Sequence, residues 1–239
     1  MDPLILENVG KTYRLDRVAV PALRDVNLRI RPHRFTVLSG ASGSGKTTLL
    51  NLIGCLDRPD EGVITVAGQR VAELSDAALS DFRLRQIGFV FQSFNLLPVL
   101  TAYENVEYPL LLAHTPAQKR RARVRELLAA VGLSNHARHW PGQLSGGQRQ
   151  RVAIARALAT APALVLADEP TANLDSETGA AIIALMRGMQ RDFQATFVFC
   201  SHDPQVLAAA DDAVVLQDGR IVRVERQPDA DLPEAQVAS

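Results

Sequence analysis

The run GASGSGKT, from Gly40 to Thr47, sets glycines, a lysine and a threonine in the order G-x-x-x-x-G-K-[ST]. That order suits the holding of phosphate. Glycines at 43 and 45 admit backbone angles that a β-carbon resists. The successive amides of Gly40, Ser42, Gly43, Ser44 and Gly45 can therefore turn inward around an anion. Lys46 then reaches toward β- and γ-phosphates, the Thr47 hydroxyl is placed to ligate Mg²⁺, and Thr48 adds a contact to an α-phosphate. A helix begun at Lys46 contributes the positive end of its dipole.

Two acids supply the matching negative charge. In ALVLADEP, four apolar residues bury a strand and Asp168 stands at its carboxyl end, where open α/β sheets place ligands. Asp168 is expected to hold Mg²⁺, directly or through water. Glu169, next in the chain, is placed to orient or deprotonate an attacking water.

A second anion site follows in GQLSGGQRQRVAIARALA, from Gly142. Ser145 and Gln148 have the form of a capping box at a helix start. Gly146 and Gly147 cost that helix about 1 kcal/mol each relative to alanine. A capped helix alone does not need them, so they are read as bare amides that a large anion approaches closely. One chain thus carries two phosphate grips.

The elements that must position these groups read as an α/β protein. Val26, Leu28 and Ile30 alternate along DVNLRI, and RFTVLSG, IGFVFQ, ALVLAD and ATFVFCS read as buried strands. Leu49, Leu50, Ile53 and Leu56 share one helix face after the P-loop. Val124, Leu127, Leu128 and Val131 share another, in a helical block inserted from Thr101 onward. GVITVAG is a short strand, SETGAAIIALMRGMQ and a shorter segment at DPQV are helices, and QDGR turns DAVVL into IVRV. Strand–helix alternation implies a mostly parallel sheet flanked by helices. The tail from Gln227 is polar and is expected to be loosely ordered.

Composition narrows the function classes. The 239 residues balance 26 Lys and Arg against 26 Asp and Glu, which argues against a general nucleic-acid binder. A chain of this size buries roughly 70–75% of its unfolded surface and needs no staple. Cys55 and Cys200 lie in apolar segments without ligand spacing and read as reduced core thiols. The amino terminus lacks the pattern of a secretory signal, and no run approaches the roughly 20 apolar residues of a membrane span.

Taken together the motifs resemble the ATP-binding cassette (ABC) ATPases across nearly the whole chain. LSGGQ is that family's signature. The resemblance implies a P-loop cassette over residues 1–226, with an antiparallel β subdomain and a helical subdomain at about 93–160. It assigns Tyr13 in KTY to adenine stacking, Gln92 after IGFVF to Mg²⁺ and the membrane partner, Asp175 in ANLD to the loop crossing between protomers, and His202 in CSHDP to the γ-phosphate. It also implies a homodimer in which each ATP lies between one chain's P-loop and the other chain's Ser145, Gly146, Gly147 and Gln148.

Within the family, IGCLDRPDEG, IGFVFQSFNLLPVLTAYENVEYPLLL and DEPTANLDSETG look most like the lipoprotein-release and macrolide-efflux group. That likeness implies a separate integral membrane permease, docked near Phe94, Leu96, Leu97 and Leu100, and a peripheral position at the cytoplasmic face of the inner membrane. A regulatory cassette of the cell-division type, acting through a permease-like partner, carries the same motifs. Ala41, Thr47 and Ser201 are mild departures from the commoner residues.

The remaining polar features take simpler readings. His33, His114, His136 and His139 show no partner spacing and are read as surface or packing residues. Trp140 is read as a packing wedge. The basic run KRRARVR from Lys119 is read as the solvated face of its helix.

Overall fold

The computed structural model of the chain describes residues 2–15 and 18–228. The expected loose tail lies, beyond Pro228, outside the described residues. Two sheets form the frame. β1 (Leu4–Leu15), β2 (Val18–Ile30), β4 (Glu61–Val66) and β5 (Gln69–Arg70) make an antiparallel sheet in the order β2-β1-β4-β5. β3 (Phe35–Ser39), β6 (Ile87–Phe91), β7 (Leu164–Asp168), β8 (Phe197–Cys200), β9 (Asp212–Gln217) and β10 (Arg220–Arg226) make the second, ordered β10-β9-β3-β8-β7-β6. Its strands are parallel except for the β9–β10 hairpin.

Alternation along the parallel strands splits the core in two. Phe35, Val37, Val165, Ala167, Phe197 and Phe199 face one cluster, while Leu38, Leu164, Leu166, Val198 and Cys200 face the other. The second cluster is closed by the antiparallel sheet and by α1 (Lys46–Ile53), through Leu4, Leu6, Leu49, Leu52 and Ile53. α2 (Asp76–Gln86) adds Leu79 at its edge.

The first cluster is closed by α3 (Ala102–Leu112), α4 (Ala117–Ala130), α5 (Gly146–Ala157) and α6 (Ser176–Asp192). α7 (Pro204–Ala208) adds Val206 to the same core. Val124, Leu127, Leu128 and Val131 are buried, as their spacing predicts. Leu56 is not: α1 ends at Ile53 with Gly54 as its C-cap, Cys55 turns at φ +56°, and Leu56 is 51% exposed. The helical face therefore stops one turn short of the expectation.

The basic run on α4 divides. Lys119, Arg121 and Arg125 are exposed, whereas Arg120 pairs with Glu107 at 2.7 Å and Arg123 caps the Leu158 carbonyl at 2.9 Å beside the Phe193 ring. Only part of the run is a solvated face; the rest ties α4 to its neighbours. Among the described residues no helix is long and apolar enough to cross a membrane.

Candidate functional site

β3 delivers the chain to its loop at Gly40, and α1 starts at the far side with Gly45 as its N-cap. Gly45 sits at φ +102°, and a Cβ there would meet the Ala22 carbonyl at 2.6 Å. Only glycine fits. Gly43, at φ +79°, has nothing within 4 Å of where a Cβ would stand, so the loop opens on that side. Among the described residues no side chain caps α1, which leaves its first amides available to an anion. Lys46 Nζ bridges the Gly40 and Ala41 carbonyls at 2.8 and 2.9 Å, folded across its own loop.

Around this loop lies an open cleft of about 680 Å³. Gly40, Ser42, Gly43, Gly45, Lys46, Thr47 and Thr48 line one side, and Asp168, Glu169, Cys200 and His202 line the other. The parallel pairing of β3, β8 and β7 brings these carboxyl ends together. Ser44 stands apart from its neighbours: its side chain is buried and its N–H turns to the Ala41 carbonyl at 3.2 Å.

The acids occupy distinct environments. Burial raises the Asp168 carboxyl above its ordinary value, the charge of Glu169 adds to that, and Lys46 opposes it. Glu169 adopts φ +44°, a left-handed conformation costly for a residue with a β-carbon, and is held there by its N–H to the Cys200 carbonyl at 2.9 Å. Its carboxylate accepts from Ser201 Oγ at 3.3 Å and lies 2.8 Å from His202 Nδ1. Burial, with Asp168 and Glu169 nearby, pushes the Cys200 thiol up, and burial takes Cys55 to about 11, so both stay protonated thiols.

Three residues assigned by resemblance stand outside the cleft lining. The Tyr13 hydroxyl donates to Asp57 Oδ2 at 3.0 Å, with Lys11 Nζ 5.3 Å from its ring centre. Burial works against ionisation of Asp57, yet hydrogen bonds from Lys11, the Arg58 N–H and Tyr13 hold its carboxyl below the usual range. Gln92 is exposed, and its carbonyl accepts from Asn173 Nδ2 at 3.0 Å. Asp175 caps α6, accepting from the Thr178 N–H at 2.9 Å.

The second grip has the capping box its spacing predicts. Ser145 N–H donates to Gln148 Oε1 at 2.9 Å, and Gln148 N–H donates to Ser145 Oγ at 3.2 Å. The reading of the two glycines needs correction. A Cβ on Gly147 would come within 2.7 Å of Thr178 Cγ2, and one on Gly146 within 3.3 Å of Leu174 Cδ2. Close packing of α5 against the start of α6 therefore calls for small residues there, independently of any ligand. One further expectation fails nearby: Trp140 is 53% exposed rather than wedged. His136, read as a surface or packing residue, is half-buried and meets Gln148 at 3.2 Å.

In the segment after Gln92, Phe94 lies beneath Arg149, 5.0 Å from ring centre to guanidinium, and Arg156 holds the Phe94 and Asn95 carbonyls at 2.9 and 2.5 Å. Leu96 packs on the main core; Leu97 and Val99 are exposed at 38% and 80%.

Comparison with known proteins decides the family. The ABC transporter family matches residues 23–172, from the second strand through the P-loop and signature to the acids at the end of β7. The chain belongs to the ABC transporter family. An ABC transporter ATP-binding protein of Thermotoga maritima is 48% identical over 222 residues, 93% of this chain and 94% of that one. The lipoprotein-releasing system ATP-binding protein LolD of Chromohalobacter salexigens is 48% identical over 215 residues, 90% and 91% of the two chains. The macrolide export ATP-binding/permease protein MacB of Syntrophobacter fumaroxidans is 44% identical over 241 residues, which cover only 34% of that longer protein.

Among solved structures, the dimeric ATP-binding cassette MJ0796 in a post-hydrolysis state bound to ADP and Pi superposes with a TM-score of 0.84. It is 44% identical and covers 95% of this chain and 99% of its own. The ABC cassette described above is thus an ATP-binding, ATP-hydrolysing transporter subunit, with ADP and Pi accommodated by a chain of the same fold.

Proposed function

We propose that two copies of this chain close head to tail around two ATP molecules and drive a separate membrane permease. One observation carries the head-to-tail reading: the cleft of the P-loop is lined by no residue of the signature. Both begin helices, yet Ser145, Gly146, Gly147 and Gln148 open elsewhere on the surface. A second copy supplies the missing side, and the dimeric relative of the same fold supports it.

Within such a site each group takes a role from its position. The P-loop amides and Lys46 neutralise the β- and γ-phosphates. Glu169 accepts a proton from the attacking water, and His202 donates to the γ-phosphate. Thr47 and Asp168 in the cleft, joined by Gln92 from just outside it, would offer an all-oxygen donor set, which suits Mg²⁺ better than a softer ion. The half-buried Asp168 carboxylate beside Glu169 is a concentration of negative charge that a divalent cation offsets. Mg²⁺ supplies charge neutralisation on the phosphates when bound.

Tyr13, beside Thr48 along the P-loop edge, offers its ring to the adenine. Asp175 faces the partner protomer from the cap of α6. The permease is expected at the groove between β6 and α3, where Arg83, Phe89, Phe91, Asn95 and Pro109 form the walls. Exposed Leu97, Val99, Tyr108, Leu111 and Leu112 on the adjoining loop and helix supply apolar contact. A peripheral place on the inner membrane follows from that partner. The relatives named for lipoprotein release and macrolide export favour transport over a purely regulatory role.

A disulfide tests the arrangement directly. Ser42→Cys and Gln148→Cys in one chain place a thiol at each grip, while native Cys55 and Cys200 are buried and are replaced by serine in a parallel control. Oxidation with ATP present is expected to link two chains. An exclusively intrachain link would mean that one polypeptide wraps both grips around a single nucleotide.

A further inference from the structure

The signature is braced by a residue that lies outside it. Gln148 has one amide and two neighbours. Its Oε1 accepts the Ser145 N–H at 2.9 Å, so its Nε2 points the other way, at His136 Nε2, 3.2 Å distant. An amide nitrogen can only donate, and His136 Nε2 must therefore offer its lone pair. The capping box thus aims the Gln148 amide donor at the acceptor side of the His136 ring. In the opposite orientation the amide would lose the Ser145 bond.

His136 is itself held from several sides. Its N–H donates to the Leu133 carbonyl at 2.9 Å, and its carbonyl accepts from His139 N–H at 3.0 Å. The His139 ring packs 5.1 Å from its own. The start of α3 staples the segment down: Ala102 N–H donates to the His139 carbonyl at 2.8 Å, and Tyr103 N–H to the Ala137 carbonyl at 2.9 Å. Thr101 and Glu104 cap that helix in turn.

Among the described residues the Nδ1 atoms of His136 and His139 are buried without a protein partner, a cost that apolar residues in the same space would avoid. A histidine kept at such a cost, with its free face on Gln148, fits a positioning role better than simple filling. The structure assigns His136 as a positioning residue of the signature: it holds the Gln148 side chain in the one orientation that keeps Ser145 capped and the grip preset. This rests on the reading of Ser145–Gln148 as the hold on a partner's ATP. Gln148 tethered at one end only would have to be ordered each time the dimer closes.

The test uses the chain carrying Glu169→Gln, in which an ATP-bound dimer is expected to persist, and reads the dimer dissociation constant by sedimentation with ATP. His136→Phe keeps a ring against His139 and removes the acceptor. Losing one net hydrogen bond weakens each signature contact about three- to tenfold. Two such contacts per dimer raise the dimer dissociation constant by roughly 10- to 100-fold. Binding of a fluorescent ATP analogue to the monomer, which uses the chain's own P-loop, should stay within about twofold. His136→Gln, whose carbonyl can accept from Gln148, should restore the dimer. Adding His136→Phe to Gln148→Ala should cost nothing more, because their shared bond is already gone.

A His136→Phe dimer as tight as the parent would overturn the proposal. So would His136→Gln as weak as His136→Phe, or losses from His136→Phe and Gln148→Ala that simply add. If His136→Phe fails to fold, His136→Ala is judged by the same criteria. Ser145→Arg separates the levels. If it abolishes the dimer while His136→Phe does not, the positioning role alone is wrong; if it too leaves the dimer intact, the reading of the signature falls with it.

Discussion

His202 Nδ1 and Glu169 Oε1 meet at 2.8 Å, each standing just past the end of one of two adjacent parallel strands. The contact joins the residue read as the γ-phosphate sensor to the one read as the water-positioning base. Its imidazole is 79% exposed, so the ring can leave Glu169 for a phosphate without unpacking a core. On the proposed reading, a nucleotide with a γ-phosphate would give His202 a second partner and leave Glu169 to the water.

His202→Ala should therefore lower ATP hydrolysis about a hundredfold or more while ADP affinity stays within about threefold. Steady-state turnover and nucleotide titrations measure the two quantities. Collapse of both affinities would make His202 a structural residue.

Glu169→Gln removes the proton acceptor and keeps the shape, and its amide can still reach His202. Turnover is expected to fall by about 10²–10⁴ with ATP binding retained. Each site also loses one negative charge next to ATP, so the ATP-bound dimer should accumulate and be visible by gel filtration. Wild-type turnover in this variant would remove Glu169 from its role.

Most of this site was legible because its motifs sit where strands end, and buried strands announce themselves by apolar runs. The rest was hidden for identifiable reasons. β1 carries bulges between Leu6 and Val9 and again before Lys11, with Asn8 at φ +51°. Its buried apolar side chains, among those described, are Leu4, Leu6 and Val9, so the alternation changes parity midway and the period-two signal cancels. α2 buries only Leu79, leaving almost no apolar stripe to detect; Ser75, capping it through the Ala78 N–H, was its one cue. Local spacing could not tell that Gly147 must pass Thr178, which lies 31 positions along the chain. Nor could it show that His136 meets Gln148, since that bond joins a loop to a helix cap with no shared period.

Asp168 offers a test of stability against function. Burial first, and then Glu169, raise its carboxyl in the folded state above the ordinary value of 3.8, with Lys46 opposing. The folded protein then binds that proton more tightly than the unfolded chain does. Stability falls as pH rises from about 3.8 through the folded-state value, and the loss is complete above it. Asp168→Asn removes the penalty. Without nucleotide or metal, its melting temperature at pH 7 should exceed the parent's by roughly 1–2 °C, a small gain because the group is half exposed and screened. The gain should vanish below the ordinary carboxyl value, where neither form carries charge, and ATPase activity should be lost throughout. Melting curves across pH that show a lower value for the variant at pH 7 would contradict the sign.

Complementation between two dead chains tests the division of labour between the grips. Ser145→Arg puts bulk and a stray cation at the signature, and Lys46→Ala disables the P-loop. Each homodimer lacks a complete site. In a mixed dimer, the intact P-loop of the Ser145→Arg chain faces the intact signature of the Lys46→Ala chain, and the opposite site carries both defects. Half of randomly paired dimers are mixed, each with one good site out of two. An equimolar mixture should therefore recover up to about a quarter of wild-type turnover if a single site can fire alone. Strictly coupled sites would recover none, so the mixture is also read by crosslinking: Ser42→Cys on the Ser145→Arg chain and Gln148→Cys on the Lys46→Ala chain. An ATP-dependent link between these two chains, at the one intact site, is expected even without turnover. If neither activity nor that link appears while both chains remain folded, the two grips do not share a nucleotide across the dimer.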